Sequence, residues 1–86
     1  MGTVTASRRS ASLSREDFRP FRDWLIRQGW TIENTLSRAE ILRASKKARP
    51  DSRTKKFIFG YDSHDQENLL FFDDAADLVN RFQGAK

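Results

Sequence analysis

The sequence predicts a small α+β domain in which a three-stranded antiparallel sheet carries two helices on one face, in the order α-β-β-β-α. Three observations lead to this expectation. Apolar residues follow helical spacing near the start of the chain and again at its end, and strand-like runs separated by a polar turn lie between them. A chain of 86 residues has room for a single core. We expect a disordered tail over 1–13, which is rich in Ser, Thr and Arg, and one domain over 14–86.

The first helix is predicted from the stretch "SREDFRPFRDWLIRQGW". Pro20 would break a helix that begins well before it, so a turn over 14–17 followed by a helix over 18–28 fits best. Capping by Asp17 then places Pro20 in the first turn, where proline is tolerated. Gly29 stands where a left-handed residue would end the helix. The helical spacing is carried by Phe18, Phe21 and Leu25, with Trp24 beside them.

The middle of the chain contains three strand signals. "KKFIFGY" alternates and "NLLFF" is a short apolar run, and the polar stretch "DSHDQE" between them predicts a hairpin. Because an isolated hairpin is marginally stable, we expect a third strand at "EILRASK", residues 40–46. The alternative for 38–47 is a helix, since Ser37 and Glu40 can form a capping box. The preceding "WTIE", residues 30–33, is expected to be an extended lead-in.

The last helix is predicted from "FFDDAADLVNRFQGAK". Its apolar residues follow the i, i+3, i+4, i+7 pattern of one helix face: Ala75, Leu78, Val79 and Phe82. Asp73 or Asp74 can cap the helix, and Gly84 can end it. With this helix in place, the predicted core consists of Trp24, Leu25, Phe57, Phe59, Leu78, Val79 and Phe82.

This element order, together with the stretch "FRDWLIRQGW", resembles double-stranded RNA-binding domains and the small dsRBD-like toxins of the HicA group. The resemblance implies a sheet with two helices on one face and an association with RNA. Two features of the chain depart from it. His64 lies in the turn rather than on a central strand, where such toxins carry their active-site histidine, and the last helix opens on Asp73, Asp74 and Asp77 rather than on a basic cluster.

Positive charge is concentrated in the middle of the chain. The net charge is +4, but residues 38–56 carry eight basic and two acidic side chains, whereas residues 62–86 carry two basic and six acidic ones. The chain therefore has a basic centre and an acidic C-terminal third. This distribution indicates an oriented interaction with a negatively charged partner.

The candidate site is the basic segment 43–56, which precedes a run of aromatic residues. Its cations are Arg43, Lys46, Lys47, Arg49, Arg53, Lys55 and Lys56. Pro50, Asp51 and Ser52 form a turn signal, so we expect a hairpin that presents these charges together. Clustered cations bind phosphates and release their condensed counterions. The alternative is a solvated loop whose charge keeps the protein in solution.

The aromatic residues that follow have two interpretations. Phe57, Phe59 and Tyr61 lie on one face of the predicted strand, where they could stack on the bases of a single-stranded nucleic acid. They are also the largest apolar residues available to fill the layer beneath the helices, and we prefer that core assignment. Phe71 and Phe72 should point to opposite faces of the sheet, and an exposed aromatic there would mark a protein contact.

Catalysis and metal binding find no support in the sequence. The chain has no Cys and a single His, and the acidic residues of "DSHDQE" match no calcium-loop pattern. No Gly-rich phosphate loop and no Ser/His/Asp set can be assembled. We therefore expect a protein without enzymatic activity, cofactor or metal.

The function that these features favour is a small nucleic-acid-binding or nucleic-acid-associated module, with DNA and RNA equally open. The alternative is an accessory or inhibitor protein, of the type that phages and mobile elements encode, which docks onto an acidic host protein. A toxin-like ribonuclease is disfavoured because the histidine is misplaced. No apolar run approaches the roughly 18 residues that a membrane span needs, so we expect no association with a membrane. We also expect a cytoplasmic protein that is a monomer or a weak homodimer.

Overall fold

In the residues that the computed structural model describes, 9–64 and 67–85, the chain forms a five-stranded antiparallel sheet and two helices. The strands are β1 (Ser10–Ser14), β2 (Thr31–Glu33), β3 (Glu40–Lys47), β4 (Lys55–Asp62) and β5 (Asn68–Phe72), and the helices are α1 (Phe18–Arg27) and α2 (Asp74–Gly84). The strands are ordered β1-β5-β4-β3-β2 across the sheet. The α+β class is confirmed. The prediction of a three-stranded sheet in the order α-β-β-β-α is wrong, because two short strands extend the sheet at its edges.

Both additional strands lie in segments for which we expected no strand. β1 occupies residues that were predicted to belong to a disordered tail reaching residue 13. Its Leu13 is fully buried and lies opposite Leu69 in the β1–β5 register, so one apolar residue fixes the strand to the core. β2 was predicted as an extended lead-in, and it pairs with β3 while Ile32 packs on the core. Residues 1–8 of the predicted tail lie outside the described residues.

Helix α1 begins after a short 3-10 turn, Arg15–Asp17, as predicted. The Ser14 hydroxyl accepts a hydrogen bond from the Glu16 amide (N···O 3.3 Å) and caps this turn. Pro20 lies in the first turn of α1, where its missing N–H leaves no helical hydrogen bond unmade. Gly29, with a φ of 96°, adopts the left-handed conformation that ends the helix.

The core lies between the two helices and one face of the sheet. Its largest members are Leu13, Phe21, Leu25, Trp30, Leu42, Ile58, Leu69, Phe71, Leu78, Val79 and Phe82. Phe21 of α1 contacts both the sheet and the other helix, since its ring centroid lies 5.3 Å from that of Phe71 of β5 and 5.3 Å from that of Phe82 of α2. Edge-to-face contacts of this kind add to the stabilisation from apolar burial. Of the predicted core residues, the helical ones are buried or, for Trp24, packed half-buried against the core.

The core assignment of Phe57 and Phe59 is wrong. Strand β4 turns Ile58 and Gly60 toward the helices and leaves Phe57 and Phe59 on the opposite face, where Phe57 is 42% exposed. The reason is the space that Phe71 requires. A Cβ at position 60 would lie 2.5 Å from the Phe71 ring, so only glycine allows this ring to pack against β4.

One face of the sheet is thus covered by helices, and the other is open. No helix in the described part of the chain is long and apolar enough to cross a membrane.

Candidate nucleic-acid interface

Four aromatic rings form a continuous row on the open face of the sheet. This aromatic row consists of Phe57, Phe59 and Tyr61 on β4 and Phe72 on the neighbouring β5. Successive ring centroids lie 6.4, 6.4 and 6.1 Å apart. On β4 this spacing follows from the strand itself, because every second residue recurs after about 6.6 Å on the same face.

Arg43 of β3 lies over the aromatic row. Its register partner is Phe59, and its Cζ lies 4.9 Å from the Phe59 ring centroid and 5.8 Å from that of Phe57. Both distances are within the range of cation–π attraction. The Arg43 Nε donates a hydrogen bond to Glu40 Oε1 (3.2 Å), which fixes the guanidinium in this position.

Glu40 is held as a carboxylate by its surroundings. Burial alone would raise its pKa, but it accepts hydrogen bonds from the Leu36 amide (3.1 Å) and from the Arg43 guanidinium. These bonds and the charge of Arg43 outweigh burial and hold the pKa of the Glu40 carboxyl below its ordinary value. Glu40 therefore stays charged at neutral pH and orients Arg43.

The alternation of β3 and β4 divides the predicted cation cluster between the two faces of the sheet. Lys47 and Lys55 lie opposite each other in register on the open face, where Arg43 also lies. Lys46 and Lys56 form the next pair and point to the helix side. There the Lys46 Nζ donates to the Gln28 carbonyl (2.9 Å), and the Lys56 Nζ lies 2.9 Å from the Asp74 carboxylate.

The loop between β3 and β4 carries the remaining predicted cations. Arg49 and Arg53 are both exposed, and neither forms an ion pair within the described parts of the chain. The structure therefore places three of the seven predicted site residues on the open face, two in the loop beside it and two on the opposite face. The expectation of a hairpin that presents all seven together is not met.

The two sides of the aromatic row differ in charge. Arg43 and the Lys47–Lys55 pair lie on the β3 side, together with Glu33, whose carboxylate accepts a hydrogen bond from Ser45 Oγ (2.6 Å). On the α2 side, a depression of about 260 Å³ is bounded by rings of the row and by Asp73 and Asp74. A phosphate chain that crosses this face is therefore attracted to the β3 side and repelled from the α2 side.

The polar turn after β4 contributes a structural contact. The Asp62 carboxylate accepts a hydrogen bond from the Arg15 guanidinium, and this bond lowers the pKa of Asp62, with the charge of Arg15 and the Ser63 amide acting in the same direction. Within residues 9–64 and 67–85, no group of three or more His, Cys, Asp and Glu side chains is placed to hold a metal ion. Asp65, another acidic residue of this turn, lies outside the described residues.

Sequence reasoning named the rings of the row but placed them in the core, and it did not join Phe72 to them. The signal that could have corrected this is Gly60. A glycine within an alternating aromatic strand marks a site where a neighbouring group approaches closely, so the face with the glycine is the covered one.

Comparisons of the chain with protein-family models, with curated proteins and with solved structures found no match in any of the three. The resemblance to dsRBD-like domains therefore stays a prediction. Any functional conclusion has to come from the open face itself.

Proposed function

We propose that the protein binds a single-stranded nucleic acid on the open face of its sheet. The observation that supports this most strongly is the aromatic row. Bases stack on aromatic side chains, and this contact is open only to unpaired bases, because the faces of paired bases are already stacked within a duplex. A row whose rings recur every 6.1–6.4 Å can contact successive unpaired bases.

The placement of charge agrees with this proposal. Cations flank the row on the β3 side, where they can bind the phosphates of a strand whose bases lie on the rings. The acidic helix α2 lies on the covered face, and two of its carboxylates are paired with cations: Arg9 Nη2 lies 3.3 Å from Asp77 and Lys56 Nζ lies 2.9 Å from Asp74. Apart from Asp74, which borders the row, the negative charge of α2 is thus kept away from the proposed ligand.

A protein partner is the second candidate. Phe57 is 42% exposed on the open face and Leu36, in the loop before β3, is 74% exposed. Exposed apolar residues on a sheet face also mark protein contacts, and the cations of the β3–β4 loop would favour an acidic partner. This candidate corresponds to an accessory or inhibitor protein that docks onto a host protein.

The substitution Phe57→Ala tests whether the aromatic row binds a ligand or has only a structural role. Phe57 contributes little to the core because it is on the open face, so the fold should be retained. Loss of one base–aromatic stack should weaken binding of a single-stranded oligonucleotide by about 1–3 kcal/mol, with little change in the salt dependence. Leu36→Ala removes another exposed apolar side chain, one that lies away from the row, and is the control. Fluorescence anisotropy over a range of salt concentrations measures both quantities.

Three results would speak against single-strand binding. They are absence of binding to single-stranded DNA and RNA at low salt, equal affinity for duplexes, and an unchanged affinity in Phe57→Ala. Recovery of a specific protein from nuclease-treated lysate by the parent but not by Phe57→Ala would favour the protein-binding function instead.

A further inference from the structure

A cleft beside the β3–β4 loop, where β3 ends and β4 begins, is lined by cations from both faces of the sheet. It has a volume of about 460 Å³ and is bounded on one side by the start of β2 and on the other by the end of β3 and the first residue of β4. Four of its lining residues are cations: Lys46, Lys47, Arg49 and Lys55. The remaining lining residues carry no charged side chain, so the cleft attracts anions.

This concentration of like charge opposes folding. Lys47 and Lys55 are opposite each other in register, as are Lys46 and Lys56, and like charges placed directly opposite each other destabilise a sheet. On the helix side the repulsion is relieved, because Lys46 donates to the Gln28 carbonyl and Lys56 pairs with Asp74.

On the open face the relief is incomplete. Lys55 Nζ lies 3.9 Å from Glu33 Oε2, a carboxylate oxygen that already accepts a hydrogen bond from Ser45. Lys47 forms no ion pair with any residue in the described ranges. A local arrangement that opposes folding and is only partly compensated within the chain is typical of a functional site.

We propose that this cleft is a phosphate-binding site that receives the phosphodiester backbone of the strand as it leaves the aromatic row. The inference rests on the proposed function and assigns a second, base-independent contact to it. The cleft lies next to the row, since Lys55, which lines the cleft, precedes Phe57 by one strand repeat on the same face. Phosphate is the expected ligand because several cations converge here and the next groups along the face are rings that stack on bases.

The experiment compares two probes of equal length, an oligothymidylate and an abasic deoxyribose-phosphate oligomer that lacks bases. The cleft variant is Lys47→Gln with Arg49→Gln. Its control is Arg19→Gln with Arg22→Gln, which removes the same charge from exposed positions of α1 on the covered side of the sheet. Dissociation constants are measured over a range of salt concentrations for the parent, both double variants and Phe57→Ala.

The cleft variant is expected to lose affinity by a similar factor for both probes. Its logarithmic salt slope should become shallower by about 0.7 for each phosphate contact removed from a single strand. The control should change much less, and Phe57→Ala should lose affinity for the oligothymidylate only.

The failures of the two proposals are distinguishable. If Phe57→Ala weakens oligothymidylate binding while the cleft variant binds both probes like the parent, the cleft site is refuted and single-strand binding stands. If the parent binds neither probe at low salt, both are refuted.

A second measurement starts from the melting temperature of the free protein. Lys47→Glu replaces the like-charged pair by an ion pair with Lys55, so it should raise the melting temperature of the free protein while it weakens binding of the abasic oligomer. A lower melting temperature in a variant that retains the parent's circular dichroism spectrum would show that the pair is not repulsive, and would overturn the inference.

Discussion

At the scale of single residues, Gly60 decides which face of β4 is covered. Its missing Cβ leaves space that the Phe71 ring fills, and an added methyl group would lie 2.5 Å from Phe71 Cε2 and 3.2 Å from Leu42 Cβ. Both neighbours are buried and cannot move freely. We therefore expect Gly60→Ala to lower the free energy of unfolding by about 1–3 kcal/mol through overpacking.

Gly84→Ala is the control for this substitution. Nothing lies within 4 Å of a Cβ at position 84, which is at the end of α2, so alanine there should be neutral or slightly stabilising. Urea denaturation of both variants checks the pair. Equal stability of Gly60→Ala and the parent would mean that β4 and β5 can shift apart without cost.

The free energy of unfolding should depend on pH through Glu40, the carboxylate that orients Arg43 on the open face. Because its pKa in the folded chain is lower than its ordinary value of 4.5, the unfolded chain takes up the proton first as the pH falls. The stabilisation from the Glu40 carboxylate is therefore complete above about pH 4.5 and is lost as the pH falls through the pKa of the folded state.

The substitution Glu40→Gln tests this linkage. The variant should be less stable than the parent at neutral pH, and the difference should shrink in acid, as measured by urea denaturation at several pH values. Glu16→Gln, which removes a charge from an exposed position, should show a smaller difference at neutral pH. A gap for Glu40→Gln that stays constant down to the acid limit would contradict the assigned role of its charge.

At the scale of secondary structure elements, β1 is a strand that a single buried residue fixes to the core. "SASLS" contains one large apolar residue, Leu13, and no periodic pattern of apolar residues surrounds it. The sequence therefore gives no sign of a strand there. In the fold this residue is fully buried against the core. We expect Leu13→Ala to reduce the free energy of unfolding by about 2–5 kcal/mol, the range for a buried leucine.

Ser12→Ala is the matched control, since Ser12 is exposed on the same strand. It should change stability by less than about 0.5 kcal/mol. Thermal and urea denaturation of both variants check the prediction. An equally small effect of Leu13→Ala would show that the domain does not need β1.

The elements that the sequence predicted are those with a strong local pattern. Both helices, the β4–β5 hairpin and the strand over 40–46 follow from spacing, capping residues and turn residues, and each is present. β2 escaped recognition because it is three residues long and its pairing with β3 is not encoded locally. The period of β4 was evident, but the choice of its covered face depends on Phe71, a partner from another strand.

The same distinction applies to the candidate interface. The cations of 43–56 were evident from composition, but their division between two faces depends on the register of β3 and β4. Arg43 was predicted as a phosphate contact, and the fold gives it a second property, its position over Phe57 and Phe59. Local sequence therefore identified the residue types, and long-range pairing decided which of them meet.

At the scale of the whole molecule, charge and burial are arranged in layers. The acidic helix and its paired cations lie on one side of the sheet, and the aromatic row with Arg43, Lys47 and Lys55 lies on the other. A second copy of the chain is one partner whose exposed rings could cover the aromatic row. Packing two copies face to face would bring like charges together, and this repulsion is strongest at low salt.

The sign of the salt dependence thus separates self-association from nucleic-acid binding. We expect the free protein to be monomeric at low salt, and any dimer formed through the open face to strengthen as salt screens the cations. Nucleic-acid binding should weaken over the same range, because counterion release is lost. Analytical ultracentrifugation at several salt concentrations checks this, with Phe57→Ala as the variant that should suppress such a dimer. A dimer that is tightest at low salt and unaffected by Phe57→Ala would contradict this expectation. It would indicate that the basic β3–β4 hairpin of one copy pairs with the acidic helix α2 of another, because only opposite charges attract more strongly as salt is removed.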